Sequence, residues 1–85
     1  MTESEIKNTV IKLLKQIAPD KDPAALQPDD NIREKLEIDS FDSLRFIVQL
    51  EEQLAVTTPE EDYGKISTLR NLITYIMKKK NEPNA

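Results

Sequence analysis

The apolar residues of this 85-residue chain recur at helical spacing in three segments, and prolines stand between the segments. Ile6, Val10, Leu13, Leu14 and Ile17 make one stripe over residues 3–17, the pattern of a helix that buries one face. Thr2 followed by Glu5 has the form of a capping box, and Pro19 ends the run. A second segment, roughly 40–54, carries Phe41, Leu44, Phe46, Ile47, Val48, Leu50 and Leu54. Phe46, Ile47, Leu50 and Leu54 suit one face, with Leu44 and Val48 toward its flank, and an arc this wide predicts neighbours on two sides. The third segment follows Ser67, a good N-cap residue, and sets Leu69, Leu72, Ile73 and Ile76 on one side. Lys78, Lys79 and Lys80 complement its C-terminal dipole. No stretch alternates as a strand does, no repeat occurs, and the prolines exclude a continuous coiled coil.

The connections are less regular. About twenty residues separate the first two helices, with Pro19, Pro23 and Pro28 spaced through them. A structureless loop of that length is uncommon in a compact domain, so Leu26, Ile32, Leu36 and Ile38 are expected to pin it to the core, with a short turn over Asp30 to Leu36. Pro59-Glu60-Glu61-Asp62-Tyr63 has proline at a first-turn position followed by acids, which predicts one short helical turn. The fold class is therefore all-α, with three main helices, one short helix and a long first loop. One domain should occupy residues 1–80, and residues 81–85 should form a frayed tail.

Composition removes most enzyme classes. The chain has no cysteine and no histidine, so disulfides, Cys/His metal sites, cysteine nucleophiles and a serine–histidine triad are absent. One glycine in 85 residues argues against phosphate-cradling loops. A Ser–Lys dyad has no lysine placed to serve it, and Asp20-Lys21-Asp22 lacks the glycine and final glutamate of a calcium loop. The reading is no catalyst and no metal site. A net charge of −4 and a pI near 4.8 argue against nucleic acid as a partner. No apolar run approaches a membrane span, and Met1-Thr2-Glu3-Ser4 does not read as a signal peptide, so the expectation is a cytoplasmic monomer. Charge is uneven: residues 20–62 hold thirteen acids against four bases, net −9, whereas 63–85 are net +4. Such a field suits either a solvated face or a docking surface for a basic partner.

The stretch with chemistry in it is Leu36-Glu37-Ile38-Asp39-Ser40-Phe41-Asp42-Ser43-Leu44. A serine sits where the long loop meets a helix, between two aspartates. Asp39 or Ser40 would cap that helix and Asp42 would favour its dipole whatever the function. Ser40 has no base to activate it, and a serine exposed at a helix start among acids suits modification by another enzyme.

The run Asp39-Ser40-Phe41-Asp42-Ser43-Leu44-Arg45-Phe46-Ile47-Val48-Gln49-Leu50-Glu51-Glu52 resembles the modification site and following helix of acyl carrier proteins, whose pattern is Asp-Ser-Leu-Asp, an apolar helix, then Leu-Glu-Glu. Lys65-Ile66-Ser67-Thr68-Leu69 and Ile73-Thr74-Tyr75-Ile76 resemble that family's last helix, and the likeness covers roughly residues 3–78. The resemblance implies a four-helix carrier bundle bearing 4′-phosphopantetheine on Ser40, moved there from coenzyme A by a phosphopantetheinyl transferase that Asp39 assists. The arm's thiol would carry acyl groups to ligase, synthase or transferase partners of fatty-acid, lipid, polyketide or related biosynthesis. Asp42, Arg45, Glu51 and Glu52 would face basic docking patches on those partners. Leu44, Ile47, Val48, Ile66 and Leu69 would line an acyl pocket.

Three positions depart from the fatty-acid type. The family often has glycine where this chain has Glu37, leucine where it has Phe41, and an acid where it has Arg45. Asp-Ser-Phe also resembles D-alanyl carrier proteins, so a D-alanyl or aminoacyl carrier and an unmodified acidic interaction module stand as alternatives. Asp42-Ser43-Leu44 likewise reads Asp-Ser-Leu. Taking Ser43 as the attachment point would bring Leu50-Glu51-Glu52 three residues too early and sink the serine into the first helical turn.

Overall fold

The computed structural model describes residues 1–81. Four α-helices, α1 (Glu3–Ile17), α2 (Ile32–Leu36), α3 (Ser40–Leu54) and α4 (Leu69–Asn81), are joined through two 3-10 segments, Pro23–Ala25 and Glu60–Ile66. Among the described residues the only β pairing is an isolated bridge between Asn31 and Thr68. No helix of these is long and apolar enough to cross a membrane.

Each long helix begins and ends for identifiable reasons. Thr2 and Glu5 form the capping box at α1: the Thr2 N–H donates to Glu5 Oε1 at 2.9 Å and the Glu5 N–H to Thr2 Oγ1 at 3.2 Å. The Thr2 N–H, and next its hydroxyl, hold the Glu5 carboxyl below its ordinary pKa. At α3 the Asp42 N–H donates to Asp39 Oδ1 at 2.8 Å, and the helix ends at Ala55 in the left-handed region, φ 54° and ψ 47°. At α4 the cap is Thr68, not Ser67 as expected: the Asn71 N–H donates to Thr68 Oγ1 at 3.2 Å. The Ile32 N–H takes the Ser67 carbonyl at 3.0 Å, and this tie to the long loop places the first helical turn one residue later.

The predicted apolar stripes are the core. Ile6, Val10, Leu13, Leu14 and Ile17 of α1 are buried, as are Phe46, Ile47, Leu50 and Leu54 of α3 and Leu69, Leu72, Ile73 and Ile76 of α4. Helix α1 packs against both α3 and α4, so it is the shared wall of the bundle. Full burial of such side chains contributes about 1.5–3 kcal/mol each before chain entropy is counted. The long loop is held as expected, with Leu26, Ile32, Leu36 and Ile38 all buried. The turn expected over Asp30 to Leu36 is a true helix, α2, because the Asn31 side chain caps it by accepting the Glu34 N–H at 3.0 Å.

Two expectations need correction or placing. Helix α3 does not have neighbours on both sides: Phe41, Leu44 and Val48 are 72, 49 and 47 % exposed, so the flank of its apolar arc faces solvent. Of the tail expected over 81–85, Asn81 ends α4 and the rest lies outside the described residues.

Candidate functional site

The candidate site is the corner between α2 and α3. Helix α2 stops because Glu37 adopts left-handed geometry, φ 53° and ψ 41°, with its N–H returning to the Arg33 carbonyl. The Ile38 N–H goes to the same carbonyl at 3.1 Å, and the Ile38 side chain is buried. Asp39 is extended and caps α3. Three residues therefore reverse the chain and deliver Ser40 as the first residue of α3, exposed to solvent. The reversal also returns Ser40 to the side of α2: Arg33 Nη2 donates to Ser40 Oγ at 3.0 Å. Ser43, one turn on, is half-buried, and its N–H donates to the Asp39 carbonyl at 2.9 Å.

A cleft of about 540 Å³ opens beside Ser40, between the corner, the inner edge of α3 and the 3-10 segment Glu60–Ile66. Ser40 and Arg33 stand with Ser43 among its lining residues, and Ile32, Ile38, Leu44, Phe46, Ile47 and Ile66 supply its apolar surface. A volume in this range is that of a small-molecule pocket. Of the five residues expected to line an acyl pocket, Leu44, Ile47 and Ile66 border this cleft. Val48 and Leu69 do not: Val48 lies on the solvent side of α3, and Leu69, 2 % exposed, is packed in the core. Phe46, Ile38 and Tyr63 are lining residues that periodicity gave no reason to set apart from ordinary core.

The charged residues of α3 are partly engaged within the chain. Arg45 Nη1 meets Asp42 Oδ1 at 3.0 Å, an i, i+3 ion pair on the exposed side. Glu51 turns back on the fold, its Oε2 accepting the Thr58 N–H at 2.8 Å, and so anchors the loop after α3. Glu52 is exposed. Asp39 commits Oδ1 to the helix cap. Arg33 is the residue the sequence did not flag: Arg33 and Ser40 are seven apart with a chain reversal between them, and helical periodicity cannot anticipate such a contact.

Comparison with known proteins identifies the family. The family model for the phosphopantetheine attachment site matches residues 4–76. An acyl carrier protein of Chlorobium phaeobacteroides is 36 % identical over 80 residues, covering 93 % of this chain and 100 % of that protein. One from Thermosynechococcus vestitus is 33 % identical, covering 93 % of this chain and 96 % of its own. A solution structure from Anaplasma phagocytophilum assigned to the acyl carrier proteins superposes with a TM-score of 0.70 at 26 % identity, over 95 % of this chain and 90 % of that one. Family match, relatives and fold span nearly the whole molecule, and the chain belongs to the acyl carrier protein family as a carrier of acyl groups on covalently attached 4′-phosphopantetheine.

Proposed function

We propose that Ser40 is the residue that bears the arm, and that the corner between α2 and α3 exists to present it. The observation that carries this reading is the contrast between the two serines. Ser40 is exposed at the first position of α3 beside the apolar cleft, whereas Ser43 is half-buried one turn further in. The residues fit the group: a solvent-exposed hydroxyl to attach it, a guanidinium 3.0 Å from that oxygen, and an apolar surface alongside. When attached, the arm supplies a thiol that holds an acyl group as a thioester.

Ser40 acts as a nucleophile only on the surface of a transferase. Its hydroxyl proton passes to a base of that enzyme, because this chain has no histidine to take it. The Oγ–phosphorus bond forms as a pyrophosphate P–O bond of coenzyme A breaks, and adenosine 3′,5′-bisphosphate leaves. Asp39 keeps one oxygen on the α3 cap, which fixes the serine's position, and leaves Oδ2 to face the transferase. Partners dock along the exposed side of α3, where Phe41, Leu44 and Val48 form an apolar ridge beside the Asp42–Arg45 pair and Glu52. In this reading the chain delivers substrates and catalyses nothing itself.

The test is intact mass after incubation with coenzyme A, Mg²⁺ and a permissive phosphopantetheinyl transferase, for wild type, Ser40→Ala and Ser43→Ala. The expected result is one added phosphopantetheinyl group in wild type and Ser43→Ala and none in Ser40→Ala. Loading of Ser40→Ala would overturn the assignment.

A further inference from the structure

The chain has three arginines. Two are paired with carboxylates: Arg45 with Asp42 at 3.0 Å and Arg70 with Asp29 at 2.9 Å. Arg33 is not. Acids follow it at Glu34, Glu37 and Asp39, yet among the described residues no carboxylate lies within ion-pair distance of its guanidinium, and its side chain donates instead to Ser40 Oγ. Its backbone is fixed at the same time, because the Arg33 carbonyl accepts from both Glu37 and Ile38 and closes α2. A neutral hydroxyl is a weaker partner for a guanidinium than an anion is. A phosphodiester attached to that hydroxyl is a good one, since the planar guanidinium fork matches phosphate oxygens and charge-assisted bonds are about twice as strong as neutral ones.

We infer that Arg33 is a positioning residue for the arm: once Ser40 is loaded, its guanidinium moves from Oγ to a non-bridging phosphate oxygen and fixes the direction in which the arm leaves the protein. The geometry needs little rearrangement, because phosphorus bonds to the oxygen that Arg33 already touches. Both residues line the cleft of about 540 Å³, so an arm held there starts along its apolar surface. The positive end of α3 adds to the same local field. This inference rests on Ser40 being the attachment point.

The experiment uses wild type, Arg33→Gln and Arg33→Lys, each loaded from coenzyme A, with the arm's position fixed by the masses of proteolytic fragments. Phosphorus-31 spectra of the loaded proteins are then recorded from about 0.01 M to about 1 M salt, a range over which an exposed ion pair goes from weakly to strongly screened. The wild-type resonance should move with salt. That of Arg33→Gln should stay near the wild-type high-salt position throughout, and Arg33→Lys, a point charge without the fork, should lie between them. Loading of Arg33→Gln should slow by about two- to fivefold, the size of one exposed charge contact. A helix-corner staple with no phosphate role would leave the phosphorus resonance unmoved. Superimposable spectra of wild type and Arg33→Gln, with the arm on Ser40 in both, would overturn the inference alone. An arm found on Ser43 of the wild type would overturn the attachment reading and this one together.

Discussion

Among the described residues two, Glu37 and Ala55, hold left-handed backbone without being glycine, and replacing Ala55 with glycine should stabilise the protein. Ala55 closes α3 with φ 54° and ψ 47°, and the N–H groups of Ala55 and Val56 both return to the Glu51 carbonyl. An L-residue in this region costs about 1–2 kcal/mol. Glycine removes that cost but gives the unfolded chain more freedom, which returns about 0.4–1 kcal/mol. Ala55 is exposed, so its methyl group contributes little packing. The net expectation is a gain of about 0.5–1 kcal/mol, or roughly 3–6 °C in melting temperature for a domain of this size. Glu37→Gly at φ 53° relieves the same strain, but it also deletes the ion pair from Lys21 Nζ to Glu37 Oε1 at 3.3 Å. Exposed pairs are worth about 0.2–1 kcal/mol, so that variant should gain less, or nothing. Thermal unfolding followed by circular dichroism gives both values. A lower melting temperature for Ala55→Gly, or a larger gain from Glu37→Gly, would refute the reasoning.

Other expectations follow from single contacts. Leu50 is fully buried on α3, and Leu50→Ala should cost about 2–5 kcal/mol in urea unfolding; a midpoint within error of wild type would misplace the core face. Phe41→Ser removes a ring that is 72 % exposed, so the change in stability should stay within about 0.5 kcal/mol while loading by the transferase slows, and a large loss of stability with unchanged loading would contradict the docking ridge. Arg45→Glu breaks the pair with Asp42 and should change the apparent KM of partner enzymes more than the melting temperature; identical KM values with every partner would remove Arg45 from the interface. Tyr75 Oη donates to Asp62 Oδ2 at 2.6 Å, and that bond first, then Lys65, holds the Asp62 carboxyl below its ordinary pKa. A depressed carboxyl adds stability that is present above the unfolded-state value, roughly 4, and is lost as pH falls through the folded-state value. Tyr75→Phe should therefore be less stable than wild type near neutrality, and the gap should narrow in acid; a gap constant from pH 7 down to about 2 would show that the phenol acts only by packing.

The helices were readable from the sequence because their residues answer to nearest neighbours on one helix face. Thr2 and Glu5 cap α1 and Asp39 caps α3 through bonds three residues long, and local spacing suffices to find them. The α4 cap is not legible locally, for the opposite reason. Ser67 and Thr68 are chemically equivalent caps, and the choice is made by the bridge from Asn31 to Thr68, a contact thirty-seven residues long in sequence. The exposed flank of α3 is illegible for a different reason: an apolar side chain such as Leu44 or Val48 looks the same in sequence whether another helix covers it or solvent does. At the site, Asp39 and Ser40 stood out through residue type and position. Arg33 did not, because its contact depends on the left-handed Glu37 that turns α2 back on α3.

That corner changes how the acidity of the chain should be understood. The net charge of −9 over residues 20–62 suggests a serine surrounded by acid, but the residues nearest Ser40 in sequence carry little of it. Residues 33–45 hold four acids and three bases, whereas 51–62 hold five acids and no base. Within the first group Arg45 neutralises Asp42 and Arg33 sits on Ser40 itself. A basic partner surface drawn in by long-range charge would be steered toward the end of α3 and the 3-10 segment, where Glu52, Glu60 and Glu61 are exposed. Around the serine, contact would fall to the apolar ridge of Phe41, Leu44 and Val48, with Arg45 beside it. A partner matched to this chain would then need two separate features, a basic patch for the far end of α3 and an apolar surface tolerant of a cation near its start. A carrier with an acid at position 45 presents only the first requirement in that form, so a partner that discriminates between the two carriers should do so at position 45 and not through overall charge.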